Sequence, residues 1–111
     1  MNKKQYLGEF EHIVLLAILA LKDDAYGVSI RDHLKTCAGR DVSIGALYST
    51  TERLEKKGLL SSTKSGATAA RGGKAKRYFR TTIAGVKELQ TTKSQIEKLW
   101  AGAALTEGET I

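Results

Sequence analysis

The sequence predicts a mainly α-helical domain with a small β-hairpin in front of its last helix. Apolar residues recur at helical spacing in four segments of the chain. Two short segments of strand character lie between the third and the fourth, and glycines follow two of the helices. With 111 residues, 41% hydrophobic and 27% charged, the chain has the size and composition of one soluble globular domain.

The first two helices are predicted over residues 8–22 and 26–37. Apolar residues cover most of the circumference of the first helix, which indicates that it is mostly buried. The second has a narrower apolar face that begins at Tyr26 and ends at Cys37. Gly39 follows at the point where a left-handed helix terminus favours glycine.

A third helix is predicted from Ser43, a favourable N-cap, to Gly58. About 100° per residue places its apolar residues on one side. The opposite side is small and hydroxylated at its start and basic at its end, and it consists of Gly45, Ala46, Ser49, Thr50, Arg53, Lys56 and Lys57. An exposed helix usually mixes acidic and basic residues, so this side is predicted to pack against an anionic partner.

Two strands are predicted over residues 59–65 and 75–81, and together they form a hairpin. Six of the eight residues in the loop 66–73 are glycine or alanine. Basic residues flank this loop, namely Lys64, Arg71, Lys74, Lys76 and Arg77. A hairpin tip of this kind can follow a phosphate backbone with little steric hindrance.

The positive charge is concentrated in one quarter of the sequence. The chain has 18 basic and 12 acidic residues, a net charge of +6. Residues 53–80 contain nine of the basic residues and one acid, so this segment carries +8 and the rest of the chain −2. A focused positive field favours a polyanionic partner, although a solvated basic face would have the same charge.

The last helix is predicted from Thr82 to about residue 104, and it carries an apolar stripe at heptad spacing. The small domain before it has little core left to cover this stripe, so a second copy of the chain is the expected cover. The predicted dimerisation residues are Val86, Leu89, Ile96, Leu99, Trp100 and Ala103. The chain is accordingly expected to divide into a domain that contains three helices and the hairpin, residues 1–81, and a dimerisation helix with a short tail, residues 82–111.

Catalysis, cofactors and membrane insertion are not expected. His12 and His33 lie on separate helices without further ligands at metal spacing, and Cys37 lies at the wrong helix end to become a reactive thiol. The longest uncharged run, residues 13–21, is too short to cross a membrane. A single cysteine fits a reducing compartment, so a cytoplasmic protein with no cofactor is predicted.

The order of three helices, two strands and a helix is that of a winged helix-turn-helix domain, in which the third helix enters the major groove. The chain also resembles the PadR family of bacterial transcriptional regulators, specifically the short members with one C-terminal helix. The matching segments are Gly45-Ala-Leu-Tyr48, Arg53-Leu-Glu-Lys-Lys-Gly-Leu59, Tyr26-Gly27, Gly72-Gly-Lys74 with Arg77-Tyr-Phe-Arg80, and Thr82-Ile-Ala-Gly85. Thr51 replaces the family's usual leucine, a change that a hydrogen bond from its hydroxyl to the helix would accommodate.

The resemblance implies a homodimeric regulator, most simply a repressor, that binds a pseudo-palindromic operator in double-stranded DNA. It places Tyr26, Ser43, Gly45, Ala46, Tyr48, Ser49 and Arg53 at or near the DNA. The wing adds Arg71, Lys74, Lys76 and Arg77. A small apolar or aromatic effector is expected to bind between the last helices and the first helix, near Ile96 and Trp100.

Two other functions fit the same residues. A protein-interaction module could use the fold only to pair subunits, and reversing the charge of Arg53 and Lys76 would then leave its activity unchanged. A sequence-independent nucleic-acid binder would bind all DNA sequences equally and weaken steeply with salt.

Overall fold

The computed structural model describes residues 6–65 and 76–103. Its elements, in chain order, are α1 (Glu9–Leu21), α2 (Gly27–Ala38), α3 (Ile44–Lys56), β1 (Leu60–Lys64), β2 (Arg77–Thr81) and α4 (Ile83–Gly102). This confirms the predicted mainly helical fold with one hairpin. Within the described residues, no helix has the length and hydropathy of a membrane span.

The predicted helix ends are confirmed by local hydrogen bonds and backbone angles. The Ser43 hydroxyl accepts a hydrogen bond from the amide of Ala46 at 3.1 Å, so it caps α3. The Thr82 hydroxyl caps α4 in the same way, accepting from the amide of Gly85 at 3.0 Å. Gly39, with φ +64°, follows α2 in the left-handed region that favours glycine.

The hydrophobic core surrounds α1, which contacts α2, α3, α4 and β2. Val14, Leu15 and Ile18 of α1 are at most 1% exposed. Ile30 of α2 and Leu47 of α3 are fully buried in the same core. The three helices therefore form one packed unit that holds α3 in a fixed orientation.

The hairpin joins this unit through the start of α2. β1 and β2 pair antiparallel, with Leu60 opposite Thr81. On its other side β2 meets the residues before α2, where the Phe79 amide donates to the carbonyl of Ala25 at 2.8 Å and Tyr26 bridges Tyr78. The middle of β2 is therefore held beside the residues that lead into α2.

Thr50 does not lie on the outer face of α3, and that prediction is wrong. Its side chain is 1% exposed because residue 50 lies one turn from both Leu47 and Leu54 on the buried stripe. The neighbouring Thr51 is also buried, and its hydroxyl donates to the carbonyl of Tyr48 at 3.0 Å. That hydrogen bond accommodates Thr51 as the sequence predicted.

The last helix belongs to the core in its first half and leaves it in its second half. Leu89 is 4% exposed and packs in the core of its own chain, which corrects its predicted place between two chains. Further along α4, Ile96 is 45%, Trp100 is 66% and Leu99 is 72% exposed. Apart from Ile83 at its first residue, which is 79% exposed, the strongly exposed large apolar side chains of α4 lie in its second half.

Candidate nucleic-acid interface

The first half of α3 presents an open surface of small side chains. Ser43, Gly45, Ala46 and Ser49 are all exposed. A Cβ atom built on Gly45 would meet no atom of the described residues within 4 Å. These four predicted contact residues therefore lie where another molecule can approach the helix backbone closely.

Tyr48 borders this surface and is anchored on one side. Its hydroxyl lies against the buried Gly27 at the start of α2, where a Cβ atom would be only 2.6 Å from the Tyr48 Oη. Its ring centroid lies 6.4 Å from that of Phe79 in β2. Because the side chain is still 43% exposed, Tyr48 has both a packed edge and an accessible one.

The loop end of the hairpin adds a cation near the start of α2. Lys76 places its Nζ 4.2 Å from the centroid of the Tyr26 ring, a cation–π contact. The Tyr26 ring is in turn packed edge-on against Tyr78, with centroids 5.5 Å apart. This cluster places Lys76 beside the start of α2, the segment against which Tyr48 of α3 packs.

Arg77 follows Lys76 and is exposed at the start of β2. Its Nη1 donates to the hydroxyl of Ser62 at 2.8 Å, which holds the side chain across the hairpin. It also lines a shallow cleft together with Tyr48 and Phe79. The predicted wing residues Arg71 and Lys74 lie outside the described residues.

Arg53 lies one and two turns beyond Ser49 and Gly45 on α3, and its side chain is 53% exposed. Its guanidinium is held at two points: Nε is 3.4 Å from the Glu11 Oε2, and Nη2 donates to the Thr50 hydroxyl at 3.0 Å. Further N–H groups of the guanidinium remain for a ligand. The orientation of the Arg53 side chain is therefore set by Glu11 and Thr50, while the rest of its guanidinium is accessible to a ligand.

Glu11 is a functional candidate that the sequence analysis missed. Its carboxylate accepts hydrogen bonds from the Gly8 amide at 2.9 Å and from the Lys57 Nζ at 2.9 and 3.0 Å. Burial alone would raise the pKa of Glu11, but the Lys57 ammonium, the Gly8 amide and Arg53 outweigh it and lower the pKa from the usual 4.5. Glu11 is therefore ionised at neutral pH.

Lys57 consequently does not face outward, and that prediction is wrong. Its side chain is 24% exposed because the ammonium turns inward to Glu11. A sequence signal for Glu11 did exist, since Gly8 and Glu11 have the spacing of a helix-capping pair at the start of an apolar helix. Nothing local in the sequence, however, indicated its partners on α3.

A groove of about 440 Å³ separates α1 from α4. Leu16 and Leu19 line it from α1, while Val86 and Ile96 line it from α4. Trp100 is not among the lining residues, so only one of the two predicted effector-pocket residues reaches the groove. Ala103, at the end of α4, is exposed.

In the described part of the chain, residues 6–65 and 76–103, no three His, Cys, Asp or Glu side chains are grouped to hold a metal ion. His33 and Cys37 lie one turn apart on α2, with Nδ1 and Sγ separated by 3.8 Å.

Comparison with known proteins gives this surface its context. The family model described as the transcriptional regulator PadR-like family matches residues 15–91, more than two thirds of the chain. The chain belongs to the PadR-like family of transcriptional regulators. The match contains α2, α3 and the hairpin, so it covers the candidate interface of this PadR-like chain but ends within α4.

Solved structures of PadR-like proteins share the fold. A PadR-like transcription factor from Bacteroides fragilis has 26% identity and a TM-score of 0.74, with 85% of each chain covered. A PadR family transcriptional regulator from Eggerthella lenta has 30% identity and a TM-score of 0.67, covering 86% of this chain and 82% of its own. One from Clostridium difficile has 26% identity and a TM-score of 0.68, covering 84% and 96%. A search of curated proteins gives no match.

Proposed function

We propose that the protein is a homodimeric repressor that binds a pseudo-palindromic operator and acts on DNA in the cytoplasm. One observation carries this proposal: the open face of α3 borders Tyr48, which packs against Gly27, and Lys76 lies over the ring of the adjacent Tyr26. The protein's membership of a family of transcriptional regulators supports DNA as the partner. Repression would be steric, by occupation of promoter DNA.

In this proposal the first half of α3 enters the major groove. Gly45 and Ala46 carry little side-chain bulk, so the helix backbone can approach the base pairs closely. Ser49 and Arg53 follow on the same side of the helix, at one-turn spacing, and can donate hydrogen bonds to base edges. These two residues are the proposed readers of sequence.

The hairpin and the two tyrosines bind the phosphate backbone. Lys76 and Arg77 supply positive charge at the loop end of the hairpin strands, and Arg71 and Lys74 extend it along the sequence. Tyr26 and the accessible edge of Tyr48 add neutral contacts near the start of α2. Contacts of this kind set the register of the protein on DNA without reading its sequence.

The second half of α4 forms the proposed contact between two copies of the chain. Ile96, Leu99 and Trp100 expose apolar surface there, and the groove against α1 continues it. A two-fold dimer presents two copies of α3 about one helical turn of DNA apart (~34–36 Å) or a multiple of that spacing. An apolar or aromatic effector in the groove would release DNA by favouring another dimer geometry.

Charge reversal on the interface tests this assignment. The wild-type protein is first used to enrich a duplex from a random DNA pool, and binding to that duplex is measured by fluorescence anisotropy. Arg53→Glu and Lys76→Glu should each weaken binding at least about tenfold, since each replaces a cation at the DNA by an anion. Lys35→Glu, the same change on an exposed lysine in the last turn of α2, is the matched control.

The proposed face is wrong if Lys35→Glu weakens binding as much as the two interface variants do. Unchanged binding in Arg53→Glu and Lys76→Glu would place the DNA on another surface. Failure of the wild-type protein to enrich any duplex would favour a protein-interaction module.

A further inference from the structure

An ionic cluster around the buried carboxylate of Glu11 joins the first turn of α1 to the C-terminal end of α3. Glu11 is its centre, with a side chain that is 9% exposed. The two cations that it contacts, Arg53 and Lys57, lie 42 and 46 residues away in the sequence. A carboxylate in this position connects the interior of the domain to the helix proposed to read DNA.

Arg53 is therefore not a free surface arginine. The contacts to Glu11 and Thr50 use two sides of its guanidinium and leave the rest exposed. A long side chain that is fixed before binding loses less conformational freedom when it meets a base than an unconstrained one. Base recognition by arginine depends on this orientation, because the guanidinium must present its donors in the plane of the base edge.

Lys57 is affected in the opposite way. Both carboxylate oxygens of Glu11 lie within 3.0 Å of its ammonium, which is turned away from solvent. A lysine held in this manner contributes little to phosphate binding. Glu11 thus keeps the charge of Lys57 from the DNA phosphates and, at the same place, orients Arg53, the proposed base-contacting residue.

We propose that Glu11 is a positioning residue for sequence discrimination: it fixes Arg53 for base contact and withdraws Lys57 from the phosphates. This inference rests on the proposed DNA-binding function. It predicts that loss of the Glu11 charge lowers the affinity for the specific sequence relative to the affinity for other sequences. Loss of a purely structural contact would instead weaken both affinities together.

The test compares Glu11→Gln with Glu9→Gln in the full chain. Glutamine keeps the size of the side chain and an oxygen that can accept from the Gly8 amide. Glu9 lies on the same first turn and pairs with Arg40 at the surface, away from Arg53 and Lys57. Glu9→Gln therefore makes the same change of charge without affecting the contacts of Arg53 and Lys57. Anisotropy is measured on the duplex enriched by the wild-type protein and on a scrambled duplex, over a range of salt concentrations.

Glu11→Gln should lower the ratio of specific to scrambled affinity by about tenfold, the size of one lost base contact. Affinity for the scrambled duplex should stay the same or rise. The slope of log affinity against log salt should steepen by up to about 0.9, as expected for one additional cation at the phosphates. Glu9→Gln should keep the wild-type ratio.

Two further variants show whether Glu11 acts through Arg53. In an Arg53→Ala background, adding Glu11→Gln should not lower the ratio further. Thr50→Val removes the other anchor of Arg53 without touching Glu11, and it should also lower the ratio while retaining affinity for scrambled DNA. If Glu11→Gln fails to fold, Thr50→Val still tests whether the orientation of Arg53 determines discrimination between sequences. An unchanged ratio in Thr50→Val would then overturn the inference.

The inference is overturned if Glu11→Gln keeps the wild-type ratio, or if it weakens binding to both duplexes equally. An equal fall of the ratio with and without Arg53 also contradicts it. Absence of discrimination in the wild-type protein would instead refute the proposed function, so the two failures can be told apart.

Discussion

Glu11 makes the stability of the fold depend on pH. Its pKa in the folded protein is below the usual value of 4.5, despite burial, because Lys57, Gly8 and Arg53 donate to the charged form. A lowered pKa means that the unfolded chain takes up a proton more readily than the folded one as the pH falls. The stabilisation by Glu11 is therefore complete well above pH 4.5 and is lost as the pH falls through the folded-state value.

The stability difference between the wild-type protein and Glu11→Gln should follow this dependence. Urea denaturation at pH 7 should show the variant to be less stable, and the difference should shrink progressively below about pH 4.5 because glutamine does not titrate. Glu9→Gln, which removes an exposed ion pair, should differ little from the wild-type protein at either pH. A difference that is constant between pH 7 and pH 3 would contradict the role assigned to the Glu11 charge.

Gly45 tests how closely the DNA approaches α3. Gly45→Ala adds one methyl group in open space, so the free energy of unfolding should stay the same or rise by up to about 1 kcal/mol. Binding to the enriched duplex should nevertheless weaken, because the methyl group points into the proposed contact. Thermal unfolding and anisotropy measure the two effects separately, and unchanged binding would show that the first turn of α3 stays clear of the DNA.

The junction between the hairpin and α4 depends on Gly85. A Cβ atom there would collide with the carbonyl oxygen of Leu59 and lie 2.7 Å from the Thr81 Cγ2. Because the obstacle includes backbone, Gly85→Ala should destabilise the fold by about 1–3 kcal/mol. Gly102→Ala, at the open end of the same helix, should be neutral or stabilising. Equal effects in chemical denaturation would contradict the close packing at Gly85.

Local signals in the sequence predicted most of the elements and their ends. Ser43 and Thr82 cap α3 and α4 through hydrogen bonds that span three residues, so short-range chemistry was sufficient to place them. Thr50 was assigned to the wrong side because its small polar side chain resembles the residues of the outer face. Its position is decided by its spacing from Leu47 and Leu54 on the buried stripe.

Part of the candidate site was also predictable from short-range patterns in the sequence. The exposure of Gly45, Ala46 and Ser49 follows from helix periodicity within α3. The contact of Glu11 with Lys57 joins residues 46 positions apart, and no local pattern specifies which distant cation a buried acid will meet. The burial of Leu89 within its own chain was likewise not predictable, because it depends on how many residues of α4 pack against the core.

At the scale of the whole molecule, the exposed apolar end of α4 predicts self-association. Leu99→Glu and Trp100→Glu together should raise the dimer dissociation constant by about a hundredfold or more, since both side chains lie in the proposed contact. Sedimentation velocity measures this change. Ile83→Glu is the control, because Ile83 is 79% exposed on the same helix but lies outside the predicted stripe.

The double variant should stay folded, since the core of each chain includes Leu89 but neither substituted residue. Its affinity for the enriched duplex should fall toward that of a single half-site. A dimer that persists with Leu99→Glu and Trp100→Glu would place the contact between chains elsewhere.

The central claim, sequence-specific binding to DNA, is tested most directly by the wild-type protein alone. Fluorescence anisotropy would compare the enriched duplex with its scrambled version at low and near-physiological salt. We expect a preference of about a thousandfold or more at near-physiological salt, and a weaker preference at low salt where phosphate attraction dominates. Equal, salt-sensitive affinity for both duplexes would contradict the claim and indicate a sequence-independent binder.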